Sequence, residues 1–195
     1  SRAVAVRGSA DDGVFEAAER GAYASAAGVA PEEDVCRLPE ALLITEGRVR
    51  AALPFGDALQ EACEQLQPEN AGLMQLAAYL LWDGAGQAAG AILGEDGASP
   101  ARPGNTSFYR PYYEALTADL RHLPVLWPPE DRAHRLLRGT RLERLVKAKR
   151  HQLGLEFALL QSCTPDLGAS FEEYLWARGT VSSRAYALKI GGQSQ

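Results

Sequence analysis

The 195-residue sequence has little cysteine, no long apolar run, no excess of positive charge and no self-sufficient catalytic motif. Its three cysteines, Cys36, Cys63 and Cys163, are odd in number, far apart, and in no C-x-x-C or Cys/His cluster. That excludes a disulfide framework and denies zinc ligands at short, recurring spacings. His122, His134 and His151 lie among Arg and Lys at spacings of twelve and seventeen, which suits solvated helix faces better than metal ligation. The longest apolar stretch, Leu73 to Trp82, is about half of the roughly 20 residues that a spanning helix needs. No membrane span is expected. The 20 Lys+Arg against 25 Asp+Glu leave a formal charge of −5 and a pI near 5.3. This is the wrong sign for a surface whose main partner is a phosphate backbone, so nucleic acid is not expected as a partner. There is no G-x-S-x-G elbow, P-loop, H-E-x-x-H or G-x-G-x-x-G. Asn105-Thr-Ser107 matches a glycosylation sequon, but free cysteines argue against a secreted chain, and helix capping by Asn105 or Thr106 is the simpler role. The sequence begins Ser-Arg without Met, as a processed or trimmed chain does, and shows no targeting segment.

What is present describes a folding chain. Hydrophobic residues are 46% and charged residues 23%, near the averages for globular domains, and the length suffices to bury a core. Residues 1–52 carry the strand character: Val4 and Val6 alternate with small residues, and Gly21-Ala-Tyr-Ala is short and aromatic-bearing. Val35-Cys-Arg-Leu and Leu42-Leu-Ile44 each follow a proline-containing turn. From residue 53 the period becomes helical. Phe55, Leu59, Cys63 and Leu66 form one stripe, and Leu73, Leu76, Ala77, Leu80 and Leu81 a broader one that predicts a deeply buried helix.

Gly, Ala and Pro crowd residues 84–104, which read as a flexible surface loop. A short helix follows from Ser107 to about Leu120, with Pro111 tolerable in its first turn. Leu123 to Pro129 reads as extended, since each proline biases its predecessor out of the α region. A helix from Pro129 to Gln161 breaks at Gly139-Thr140, and its second half sets Leu142, Leu145, Val146, Leu153, Phe157 and Leu160 against a basic outer side. That basic side is read as a solvated face in preference to a docking surface. Ser170-Phe-Glu-Glu173 has capping-box spacing and opens a last helix running to about Leu188, followed by a fraying tail.

Several stretches, in order, resemble the SET-domain protein lysine methyltransferases of the Rubisco large-subunit methyltransferase type. They are Arg20 to Thr45; Leu76-Ala-Ala-Tyr-Leu-Leu-Trp-Asp83; Ser107-Phe-Tyr-Arg-Pro-Tyr112 with Leu123-Pro124, Trp127 and Leu137-Arg-Gly-Thr140; and Phe171-Glu-Glu-Tyr-Leu-Trp-Ala177 with Ser183-Arg184-Ala185. The resemblance implies an α+β, helix-rich fold like a truncated SET domain. Residues 1–52 would be its amino-terminal β part, 53–170 a helical insertion, and 171–195 a returning helix and tail. It also implies S-adenosylmethionine as cofactor, with Gly21 as the surviving glycine of the cofactor turn, Tyr23 beside it and Arg184 as a polar contact. No catalytic residue is assigned, and the cysteine and histidine spacings give no metal site.

Three departures count against activity. Glu19 stands where the family has a first glycine, and neither the family's N-H segment nor its channel tyrosine follows Leu188. The resemblance thus implies a chain related to S-adenosylmethionine-dependent protein-lysine N-methyltransferases, inactive as it stands. The alternative is a non-catalytic accessory or assembly subunit of a larger complex, making protein–protein contacts. A third reading is a generic helical interaction domain. An intracellular site is expected, and a plastid address fits the resemblance.

Overall fold

The computed structural model describes residues 5–9, 19–23, 30, 38–66, 68–84, 108–116, 120, 122–127 and 132–185. The chain divides into two compact units, Ser1–Leu43 and Ile44–Gln195. In the first, β1 (Ala5–Ser9) pairs antiparallel with β2 (Glu19–Tyr23), Ala5 opposite Tyr23 and Arg7 opposite Gly21. Among the described residues this ribbon is a two-stranded sheet of order β1-β2. The strand expected at Leu42–Ile44 is absent. Pro39 (φ −58°, ψ 137°) leads into a 3-10 turn at Glu40–Leu42, closed by Leu42 N–H to Pro39 O (2.9 Å) and Leu43 N–H to Glu40 O (2.9 Å). Of the strand expected at Val35–Leu38, only Leu38 lies among the described residues, and it is unpaired.

From Ile44 onward the described chain consists of helices and short turns, without strand or sheet. The α+β class expected from the sequence, a small β domain with a helical insertion, is thereby corrected: the body of this chain is helical. Part of the stretch read as strand is itself a helix, α1 (Glu46–Ala52), because Thr45 in extended conformation accepts from Arg48 N–H at 3.3 Å and caps it. Next comes α2 (Gly56–Cys63), entered at a glycine for a steric reason: a Cβ at Gly56 would lie 2.1 Å from the Arg50 carbonyl oxygen. Helix α3 (Pro68–Gly84) begins on a proline, whose fixed φ suits a first turn. The loop expected at 84–104 lies outside the described residues beyond Gly84, the last residue of α3.

Helix α4 (Arg110–Ala115) carries Pro111 in its first turn, as its missing N–H requires. Leu123–Trp127 is not simply extended, since Pro124–Leu126 forms a 3-10 turn with proline at its first position, where φ near −65° fits. Helices α5 (Arg132–Leu136) and α6 (Arg141–Cys163) are separated at the glycine anticipated as a break, Gly139, whose φ is +76°. Finally α7 (Phe171–Arg184) opens with the capping box: Glu173 N–H donates to Ser170 Oγ (3.2 Å) and Ser170 N–H to Glu173 Oε2 (2.7 Å).

The core lies where α3 and α7 run against each other, the most extensive helix pairing in the unit. Met74, Ala77, Ala78, Leu80 and Leu81 of α3 meet Tyr174, Leu175, Trp176 and Ala177 of α7 in one buried cluster, and α6 contributes Leu153 and Leu160. Each such Leu contributes about 1.5–3 kcal/mol by leaving water. Helix α7 is buried at every residue from Glu173 to Thr180, that is, around its whole circumference. Gly179 lets the 120–126 segment approach, since a Cβ there would stand 3.0 Å from Leu123 Cδ1 and 3.3 Å from Leu120 Cδ1.

Candidate functional site

Full burial of α7 brings a charge into the core, and the packing supplies its partner. Arg178 Nε donates to Glu156 Oε2 of α6 at 3.0 Å, and the two side chains are only 2% and 1% exposed. Tyr174 OH donates to the same oxygen (2.9 Å) and Gln152 Nε2 to Oε1 (3.1 Å). The remaining guanidinium nitrogens reach Ser182 Oγ (2.7 Å) and Asn70 Oδ1 of α3 (3.2 Å). Both carboxylate oxygens and all three guanidinium nitrogens therefore have partners, as buried charges require. Burial, then the negative charge of Glu156, pushes the Tyr174 phenol far above its usual range, so it stays a donor. With Arg178 and Glu156 almost wholly out of water, the pair acts as a joint among α3, α6 and α7.

A second polar cluster gathers at the end of α3. Tyr113 OH donates to Asp83 Oδ2 and Arg48 Nη1 to Tyr109 OH, both at 2.5 Å. Tyr79 stacks edge-on against Tyr109 with centroids 6.3 Å apart. Burial and the nearby Asp83 carboxylate raise the Tyr79 phenol to about 12. The Tyr79 phenol is therefore neutral beside that carboxylate at pH 7. On the α1–α2 side, Gln75 Nε2 donates to Gln60 Oε1 at 2.8 Å, and the thiol of Cys63 is pushed by burial to about 11, too high for an activated nucleophile.

The residues expected to hold S-adenosylmethionine fall as follows. Gly21 and Tyr23 lie in β2, where each is paired across to β1. Arg184 belongs to the helical unit, in the last turn of α7, exposed, with Nη1 donating to Ser183 Oγ at 2.9 Å. A guanidinium at a helix C-terminus is favoured by the helix dipole, which accounts for its position. Among the described residues an open surface cleft of ≈ 440 Å³ lies between α1 and α2, walled by Leu53, Phe55 and the Arg50–Asp57 ion pair (2.9 Å). Arg184 does not line it.

Sequence reasoning missed Glu156 and Arg178. The available signal was phase: Glu156 falls three residues after Leu153 and four before Leu160, on the apolar stripe of α6, and Arg178 falls four after Tyr174. Among the described residues no helix is long and apolar enough to cross a membrane, and no three His, Cys, Asp or Glu side chains are grouped to hold a metal ion. No family model matches the chain, and comparison with curated proteins and with solved structures gives no match either.

Proposed function

We propose that this chain is a non-catalytic helical module that works through protein–protein contacts, derived from the helical insertion of a SET-type lysine methyltransferase. The carrying observation is the distribution of charge partners. The buried charges Glu156 and Arg178 are bound to one another, while the side chains of four surface arginines, Arg135, Arg138, Arg141 and Arg144, make no hydrogen bond or ion pair among the described residues. Methyl transfer asks for the reverse: polar groups held in a cavity that admits cofactor and amine. Deep burial of α7 supports the same reading, because a helix enclosed on all sides offers rigidity rather than a site.

Calorimetric titration of the folded full chain with S-adenosylmethionine tests the proposal. No heat of binding is expected while circular dichroism shows the helices intact. A saturable isotherm that weakens in Arg184→Ala would overturn the non-catalytic reading and restore the methyltransferase one.

A further inference from the structure

These four arginines, whose side chains have no partner among the described residues, occur at every third residue, and three of them precede an exposed leucine: Arg135-Leu136, Arg141-Leu142 and Arg144-Leu145. The leucines are 73%, 45% and 54% exposed, which is unusual company for a merely solvated basic face. Residues 132–151 carry eight Lys or Arg and one acid, a formal +7, in a chain whose total is −5. Three other cations of the stretch are already engaged. Lys147 bonds Glu143 at 2.7 Å, Lys149 donates to Gln152, and Arg150 donates to the Val125 carbonyl (2.9 Å) with its guanidinium 5.6 Å from the Phe171 ring.

The backbone holding these side chains is fixed. Gly139 turns the chain at positive φ, Thr140 accepts from Glu143 N–H (3.1 Å), and Glu143 accepts from Gly139 N–H (2.7 Å). On α6 the pairs Arg141/Arg144 and Leu142/Leu145 are each three residues apart, so a cationic stripe and an apolar stripe run side by side.

From this we infer that the α5–α6 corner is the docking surface of the module, and that its occupant is an acidic, amphipathic helical segment of a partner protein. The inference rests on the protein-interaction reading above. Charge complementarity selects the sign, and the planar guanidinium fork suits carboxylates two at a time. The interleaved leucines select a protein over a phosphate backbone, since an acidic helix with Leu and Glu stripes at the same three-residue interval can cover both features together. An anionic membrane is disfavoured because the main apolar face of α6, with Val146, Leu153 and Leu160, is already buried in the core and leaves no continuous apolar face to insert.

The test uses the full chain and a fluorescent synthetic peptide of about five helical turns with Glu and Leu stripes. Probes for comparison are a Lys-for-Glu version of the peptide, a single-stranded oligonucleotide of equal charge, and phosphatidylserine vesicles. Anisotropy is expected to show saturable binding of the acidic peptide alone, weakening as salt rises from about 50 to 300 mM. Arg141→Glu with Arg144→Glu should reduce affinity at least about tenfold and flatten that salt dependence. Leu142→Ser with Leu145→Ser should reduce affinity while leaving the salt dependence in place. All four positions are exposed, and if the charge reversal disturbs folding, Arg135→Gln with Arg138→Gln supplies a milder loss of two charges. Equal binding by wild type and both arginine variants overturns the inference, as does tighter binding of the oligonucleotide or the vesicles. The two readings fail separately: a S-adenosylmethionine isotherm with peptide binding intact sinks only the non-catalytic function, and absent peptide binding without such an isotherm sinks only this surface.

Discussion

Replacing Glu156 probes the joint on which the helical unit is organised. Three donors, Arg178 Nε, Tyr174 OH and Gln152 Nε2, converge on its carboxylate at 2.9–3.1 Å. In Glu156→Ala the Arg178 guanidinium, 2% exposed, keeps only the neutral acceptors Ser182 and Asn70. Removing one member of a buried pair leaves an uncompensated charge and costs about 3–5 kcal/mol, well beyond the loss of one methylene contact at about 0.8 kcal/mol. For a domain whose total stability is of order 5–15 kcal/mol, this is a large fraction. With a urea slope near 2 kcal/mol/M, the midpoint falls by about 1.5–2.5 M, read by fluorescence of the buried Trp176. The isosteric Glu156→Gln separates charge from volume and should still cost more than about 2 kcal/mol. In Glu156→Leu with Arg178→Met neither charge is buried, so the double variant should be more stable than Glu156→Ala despite carrying two substitutions. A loss below about 1 kcal/mol for Glu156→Ala, or a double variant less stable than the single, would refute the reasoning.

Glycine substitutions should split by what the new Cβ meets. Gly56→Ala places it 2.1 Å from backbone at Arg50 and should cost about 1–3 kcal/mol in thermal melts. Gly72→Ala meets only the tip of the Glu46 side chain and should be neutral or stabilise by up to about 1 kcal/mol; equal losses at both sites would refute the contact argument. Raised proton affinities make the fold alkali-sensitive. Burial holds the protons of Cys63 and Tyr79 to about 11 and about 12 in the folded chain, against 9.0 and 10.0 for the same groups free in water. The folded state therefore binds more protons between pH 9 and 12, and the stability these two groups contribute, constant below pH 9, should be lost through that window. Urea midpoints at stepped pH check this, and a flat profile up to pH 11 would contradict it. Ser170→Ala removes the acceptor for Glu173 N–H and should cost about 1 kcal/mol, measured by urea unfolding; no change would deny the cap a role.

Legibility followed periodicity and failed where tertiary packing decides. Helices α2, α3 and α6, the glycine break before α6 and the capping box of α7 were all readable, since each depends on residues within a turn or two of one another. Helix α1 was not, because it buries a single side chain, Val49, and so shows no apolar period; its capping Thr45 directly follows the apolar run Leu42–Ile44, whose pattern reads as a strand. Alternating Val and short apolar runs suggested a β domain, but alternation states only which side chains share a face, and nothing in it supplies partner strands. The candidate site residues were placed by resemblance alone, and the one in the helical unit, Arg184, is a surface cation at a helix end. The basic side of α6 was legible as a charge pattern. That some of its arginines are unpaired and lie beside exposed leucines was not, because pairing depends on which neighbours the fold brings near.

Burial of α7 on every side has a consequence for specificity. An amphipathic helix is set in rotation by its apolar stripe, but a helix buried from Glu173 to Thr180 has no polar face to keep in water. A slip of one residue turns its side chains by about 100° and would exchange one apolar contact for another at modest cost. The same slip takes Arg178 away from Glu156 and Asn70 together, and this is expensive. The ion pair therefore fixes the rotation of α7 against both α3 and α6. Because Glu156 belongs to α6, it also fixes that helix, and with it the outward direction of Arg141, Leu142, Arg144 and Leu145. The double variant Glu156→Leu with Arg178→Met should then keep its unfolding free energy within about 2 kcal/mol of wild type yet lose a unique packing. Amide NMR spectra should show broadened or doubled resonances along α6 and α7, and binding at the arginine–leucine corner should weaken although no residue there has changed. A single sharp set of resonances with undiminished peptide binding would show that apolar packing alone sets the register.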